Sequence, residues 1–246
     1  MKKDKKQTKA KKQEESSEST QEDMFKPTKD TQDLEFQIGS IEQEHFHQIK
    51  MLLGSFFKSQ QYIDEIFEQA DQISQLAEST DVIQTPELEV TGFCSYIPLM
   101  LLPEFKFMQL MTKQLQRFLD EKFIDKNNVA VVYNLKYVNL PPTISIDALH
   151  SMIQNQKWSQ SKEYNDVVWP AAFFNVDYYV LFSKCKAGED KKADLETLYH
   201  VELYDFKDCA EKVYITSKDQ FDPEYQFNVF MLVKKAELEK IVLKMK

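Results

Sequence analysis

The run Val129-Ala130-Val131-Val132-Tyr133-Asn134-Leu135-Lys136, followed shortly by Asn139-Leu140-Pro141-Pro142, decides how the rest of the chain is read. Val129 to Tyr133 is apolar without a break, the pattern of a strand covered on both faces, since a strand with one wet face alternates instead. This strand is expected at the centre of a sheet. Pro141 and Pro142 end it and pre-set the backbone for a helix, which Ile146, Leu149, Met152 and Ile153 continue at helical spacing.

Upstream, Leu34, Phe36 and Ile38 alternate with polar residues as in a half-buried strand. Ser40, with Gln43 three residues on, predicts a capping box at the start of a helix. Phe46, Ile49, Leu53 and Phe57 form one apolar stripe; Ile63, Ile66, Phe67, Ala70, Ile73 and Leu76 form the next. Thr85-Pro86 marks a turn, and Val90 to Leu99 reads as a strand whose Gly92 and Pro98 suggest a bulge or an edge. Met108, Met111, Leu115, Phe118 and Leu119 return to helical spacing. Downstream, Phe173 to Ser183, Leu198 to Phe206, Val213 to Ile215 and Phe227 to Val233 read as strands, closed by a helix from Ala236 to Met245. The expected class is α/β (α+β): a mixed, largely antiparallel sheet with helices on both faces.

The chain has 246 residues, 42% of them apolar, enough for one sizeable core. Its net charge of −9 is unevenly spread. Residues 1–12 carry seven lysines and one aspartate, +6, and residues 13–33 carry −5, which leaves −10 for residues 34–246. Residues 1–33, poor in large apolar side chains, are expected to be a disordered charged tail before a single globular domain at 34–246. An acidic body with Arg117 as its one arginine argues against direct nucleic-acid binding, which begins with a positive face. The longest apolar run, Tyr96 to Leu102, is broken by Pro98 and too short to cross a membrane. No secretory leader is read at the start. Cys94, Cys185 and Cys209 are widely spaced, as expected of free thiols in a reducing compartment.

Catalytic and cofactor motifs are missing. A phosphate cradle needs glycines close together, and Gly39, Gly54, Gly92 and Gly188 are far apart. His45 and His47 are two residues apart on a predicted helix, the wrong spacing for a metal pair, and are read as solvent-exposed. His200 and Glu202 share a predicted strand face, where meeting solvent is the commoner role. No serine sits in a nucleophile elbow and no cysteine has a histidine partner. Neither a cofactor nor a metal is expected.

Several segments together resemble the BCCIP family, nuclear proteins named for binding a breast-cancer susceptibility protein and a cyclin-kinase inhibitor. The matching stretches are Leu34-Glu35-Phe36 through Lys50-Met51-Leu52-Leu53, then Gly92-Phe93-Cys94-Ser95-Tyr96-Ile97-Pro98-Leu99, the run from Val129 to Pro142, and Tyr178-Tyr179-Val180-Leu181-Phe182-Ser183-Lys184. The resemblance implies a fold similar to the GCN-type N-acetyltransferases without their chemistry. It also implies work in the nucleus: escorting a large-subunit ribosomal protein during ribosome biogenesis and supporting nuclear export. Acetyltransferases of that fold grip coenzyme with Arg/Gln-x-x-Gly-x-Gly/Ala, whereas Phe36, Met51, Glu89 and Cys185 stand three before the glycines here. The family's acidic insert is reduced to Asp81, Glu87 and Glu89 around Pro86.

The expected function is therefore a non-enzymatic nuclear binding protein, an acidic chaperone or adaptor for a basic client, shuttling to the cytoplasm. An acyltransferase using acetyl-CoA at an unusual site and a DNA-repair or cell-cycle scaffold are the alternatives. Expected client contacts are Asp81, Glu87 and Glu89, with Glu189, Asp190, Asp194 and Glu196; against this stands the reading of both as solvated loops. Lys2, Lys3, Lys5, Lys6, Lys9, Lys11 and Lys12 suit import receptors, with a solubilising charge run as the other reading. Import and export receptors join the client as expected partners; a membrane does not.

Overall fold

The computed structural model describes residues 35–57, 63–87, 89–99, 115–137, 140–161, 171–187, 198–199, 204–216 and 227–245. They belong to one compact unit, Glu35–Lys246. In chain order come β1 (Gln37–Ser40), a 3-10 turn (Gln43–His45), α1 (Phe46–Phe56), α2 (Ile63–Ser74), β2 (Thr80–Gln84), β3 (Val90–Pro98), α3 (Glu121–Lys126), β4 (Val129–Lys136) and α4 (Pro142–Ser161). Then follow α5 (Ala171–Phe174), β5 (Tyr178–Ala187), β6 (Leu198–Tyr199), a second 3-10 turn (Tyr204–Cys209), β7 (Ala210–Thr216), β8 (Phe227–Lys234) and α6 (Lys235–Met245).

The strands form one sheet in the order β1-β2-β3-β4-β5-β8-β7, with β6 beside β5. The apolar run β4 lies in the middle, and every residue from Val129 to Leu135 is buried. Among the described residues all pairings are antiparallel except β4 with β5, the two strands joined through helix α4. A parallel step needs such a crossover, and Pro142 opens it at the first helical position, where a missing N–H costs nothing.

Each face of the sheet has its own cover. On one, Asn134 Nδ2 of β4 donates to the Ser145 carbonyl of α4 at 3.1 Å, and Tyr179 Oη of β5 donates to Gln156 Oε1 at 2.6 Å. Helix α6 lies beside α4, tied by Lys157 Nζ to Glu239 at 2.9 Å. On the other face an aromatic row crosses three strands: Tyr214 of β7 and Phe182 of β5 both register with Phe230 of β8. Phe182 and Phe230 stack with centroids 5.1 Å apart, and Phe56 at the end of α1 meets Phe182 at 5.7 Å. Aligned aromatic pairs of this kind hold neighbouring strands in register.

Several sequence expectations change. Ser40 stays in β1, paired with Asp81, so the helix start shifts to Glu42, whose backbone N–H donates to His45 Nδ1 at 3.0 Å. A further strand, β2, precedes the Thr85-Pro86 turn and forms a hairpin with β3. The bulge near Gly92 is present, because Ile83 pairs with Gly92 and Gln84 with Val90, leaving Thr91 over. β3 is no edge, having β2 and β4 on its sides. Gly92 is required by close approach: a Cβ there would lie 2.9 Å from the Leu135 carbonyl oxygen and from Lys136 Cβ. The expected strand from Phe173 begins only at Tyr178, after α5, because Asp177 turns the chain, its carboxylate accepting from the Asn128 backbone N–H at 2.9 Å. Of the expected strand Leu198 to Phe206, Leu198–Tyr199 form β6 and Tyr204–Cys209 is a 3-10 turn, while residues 200–203 lie outside the described residues. Met108 and Met111 lie outside the described residues, whereas Leu115 and Leu119 are buried.

Candidate functional site

The structure divides the residues expected to hold a client. Glu87 and Glu89 are exposed in the β2–β3 turn, where the Thr85 N–H donates to the Glu89 carbonyl at 3.0 Å. Asp81 is not a surface group: it is 1% exposed in β2, opposite Cys94, and Asn155 Nδ2 of α4 donates to its Oδ1 at 2.6 Å. Burial pushes its carboxyl up to about 6, partly offset by the hydrogen bonds of Ser151 and Asn155. A side chain shut beneath a helix cannot meet a protein client, so Asp81 is corrected to a structural residue. Glu189, Asp190, Asp194 and Glu196, and the seven lysines of the amino-terminal segment, lie outside the described residues.

The sheet opens between β4 and β5. The Asp177 N–H and the Tyr178 N–H both donate to the Asn128 carbonyl, at 2.8 and 3.2 Å, which pins the amino ends of the two strands. Parallel pairing then runs only from Val129↔Tyr178 to Val132↔Leu181. Beyond it, β4 pairs with β3 and β5 with β8, leaving a fork at their carboxyl ends, the place where open α/β sheets hold ligands. Here the chain's own groups stand at the fork. The ammonium of Lys184, buried in β5, donates to the Phe56 carbonyl at the end of α1 and lies 4.2 Å from the Phe56 ring centroid and 5.4 Å from that of Phe57. A cation at a helix carboxyl end meets the negative pole of the helix, and aromatic faces stabilise it further. Nothing in the sequence pattern pointed to Lys184, because its partner lies 128 residues away.

The outer face of the α1–α2 pair is the second feature. Phe67, expected in the core stripe, is instead 51% exposed, since Ile66, Ala70 and Ile73 already fill the buried arc. Its ring meets Phe46 edge-on at 5.1 Å, and Lys50 Nζ lies 4.8 Å from its centroid. Glu68 and Asp71 are exposed on the same helix.

Other candidates carry less chemistry. His45, expected at the surface, is buried: Nδ1 accepts from the Glu42 amide, and Nε2 lies 2.9 Å from the side-chain amide of Gln84. His47 is exposed as expected, while His200 and Glu202 lie outside the described residues. Cys94 and Cys185 are buried and Cys209 is half-buried, all three outside any disulfide. Burial pushes the Cys94 thiol up, and Asp81 beside it adds to the effect. Among the described residues no group of three or more His, Cys, Asp or Glu could hold a metal ion, and no helix is long and apolar enough to cross a membrane.

A mixed, mainly antiparallel sheet, helices on both faces and one parallel step at an open fork define an α/β protein of the class expected from the sequence. The BCCIP family model matches residues 31–224, and the chain belongs to the BCCIP family. The crystal structure of BCP1 from Saccharomyces cerevisiae is similar over 94% of each chain, with a TM-score of 0.65 and 16% identity. A spermidine N-acetyltransferase from Vibrio cholerae, in complex with CoA and spermine, has a TM-score of 0.41 and 14% identity over 82% of this chain and 97% of its own. That score carries no argument about chemistry. No curated protein matches the sequence.

Proposed function

We propose that the chain is a non-enzymatic binding protein of the BCCIP type that holds a basic protein client in the nucleus. Family membership over residues 31–224 is the observation that carries the reading. The mechanism is electrostatic: residues 34–246 bear −10, and a field of that sign speeds encounter with a cationic partner while repelling nucleic acid. The client is a basic large-subunit ribosomal protein, shielded during ribosome biogenesis and nuclear export. Glu87, Glu89, Glu189, Asp190, Asp194 and Glu196 contribute to the field, and the lysines of residues 2–12 engage import receptors.

The experiment is affinity of the full chain for basic ribosomal proteins across a salt series. Binding that weakens steeply as salt rises is expected, since exposed charges are screened within about 10 Å at 0.1 M salt. Flat or undetectable binding at low ionic strength overturns the reading. Titration with acetyl-CoA in a calorimeter is expected to give no saturable heat; saturation would restore the acyltransferase alternative.

A further inference from the structure

Phe67 stands where the fold does not need an aromatic ring. Ile66, Ala70 and Ile73 of α2 are buried, yet the large side chain of Phe67 beside them is half in water. The segment from Ile63 to Leu76 holds four acids, Asp64, Glu65, Glu68 and Asp71, and no base. An exposed ring on an acidic helix is a cation-binding combination, because the ring face attracts an ammonium and nearby carboxylates supply charge of the opposite sign. Phe67 already works this way within the molecule: the Lys50 ammonium lies 4.8 Å from its centroid. Lys50 arrives from α1, with no carboxylate partner among the ion pairs of the described residues.

We infer that the outer face of α2, with Phe67 at its centre and Glu68 and Asp71 beside it, is the docking surface for a lysine-rich segment of a protein partner. A partner ammonium takes the place of Lys50 over the Phe67 ring, and Glu68 and Asp71 accept hydrogen bonds from neighbouring basic side chains. Charge complementarity selects the occupant: an acidic partner would be repelled by the exposed carboxylates of Glu68 and Asp71, and an apolar one would leave those two facing dry surface. The inference rests on the reading of the chain as a binder of basic proteins and assigns the place where it grips.

The probe is a fluorescein-labelled oligolysine peptide, read by anisotropy with the full chain at low salt. Phe67→Ala is expected to weaken binding about threefold to tenfold, and the double reversal Glu68→Lys with Asp71→Lys at least about tenfold, from the usual sizes of cation–π and interfacial charge effects. Lys50→Ala is expected to tighten binding, since it removes the resident competitor; a merely structural Lys50 would not do so. No binding by the unaltered chain overturns both this inference and the function proposed above. Binding that is the same in all variants overturns this inference and leaves that function standing. Should a variant melt early by circular dichroism, amide hydrogen exchange of the unaltered chain decides: peptide-induced protection over residues 63–74 supports the site, and none there refutes it.

Discussion

Asp81→Asn is expected to change how stability depends on pH. In the folded chain burial raises the Asp81 carboxyl from 3.8 to about 6. An acid whose folded value lies above its unfolded value favours folding while protonated. As pH climbs through 3.8 the unfolded chain releases this proton, whereas the folded chain retains it until about 6. Stability is therefore lost across that window and stays lower above it. The shift corresponds to about 3 kcal/mol in full, of which about 2–3 kcal/mol falls between pH 4 and pH 7. Asparagine keeps the shape and the acceptor for Asn155 but cannot ionise. Any constant cost of its extra N–H groups cancels when one pH is compared with another. Denaturant unfolding of both chains at the two pH values is the assay. The stability of the variant relative to the parent should rise by about 2–3 kcal/mol from pH 4 to pH 7. Parallel pH curves would refute the placement of Asp81 as a buried acid.

Gly92→Ala should destabilise by about 1–3 kcal/mol in denaturant melts, because its methyl would press on the Leu135 carbonyl at 2.9 Å. An unchanged midpoint would mean that β3 and β4 pack less tightly there. Lys184→Met keeps the stem but leaves the Phe56 carbonyl without its ammonium donor, and a loss of about 1–3 kcal/mol is expected in the same assay; an equal or greater stability would sink the role given to Lys184. In the native protein a thiol reagent should leave Cys94 and Cys185 untouched and modify Cys209 slowly, its thiol raised chiefly by burial; rapid reaction of two or more thiols would contradict this.

The centre of the fold was legible because local chemistry speaks for it. Five consecutive apolar residues in β4 and two prolines at the start of α4 need no distant partner to be interpreted. β2 was not legible. Thr80-Asp81-Val82-Ile83-Gln84 has a carboxylate near its start and only two apolar residues; it is a buried strand paired with β1 and β3, and Asn155, 74 positions on, donates to one oxygen of Asp81. That omission is why Asp81 looked like part of an acidic loop; Glu87 and Glu89, beside a turn proline, are exposed. Phe67 was hidden for a different reason: a list of apolar positions ignores angle, and Phe67 sits at the margin of the buried arc of α2. The grip of Lys184 on the end of α1 is a tertiary fact with no local signal.

The single parallel step has a mechanical meaning. β1 to β4 form one antiparallel meander and β5 to β8 form a second antiparallel group, each contiguous in sequence, and within the sheet they meet along a seam of four paired residues from Val129 to Val132. Tension applied across the sheet would pull directly on the few hydrogen bonds of that short seam, with α4 as its tether, so parting is expected to start there while both antiparallel groups hold.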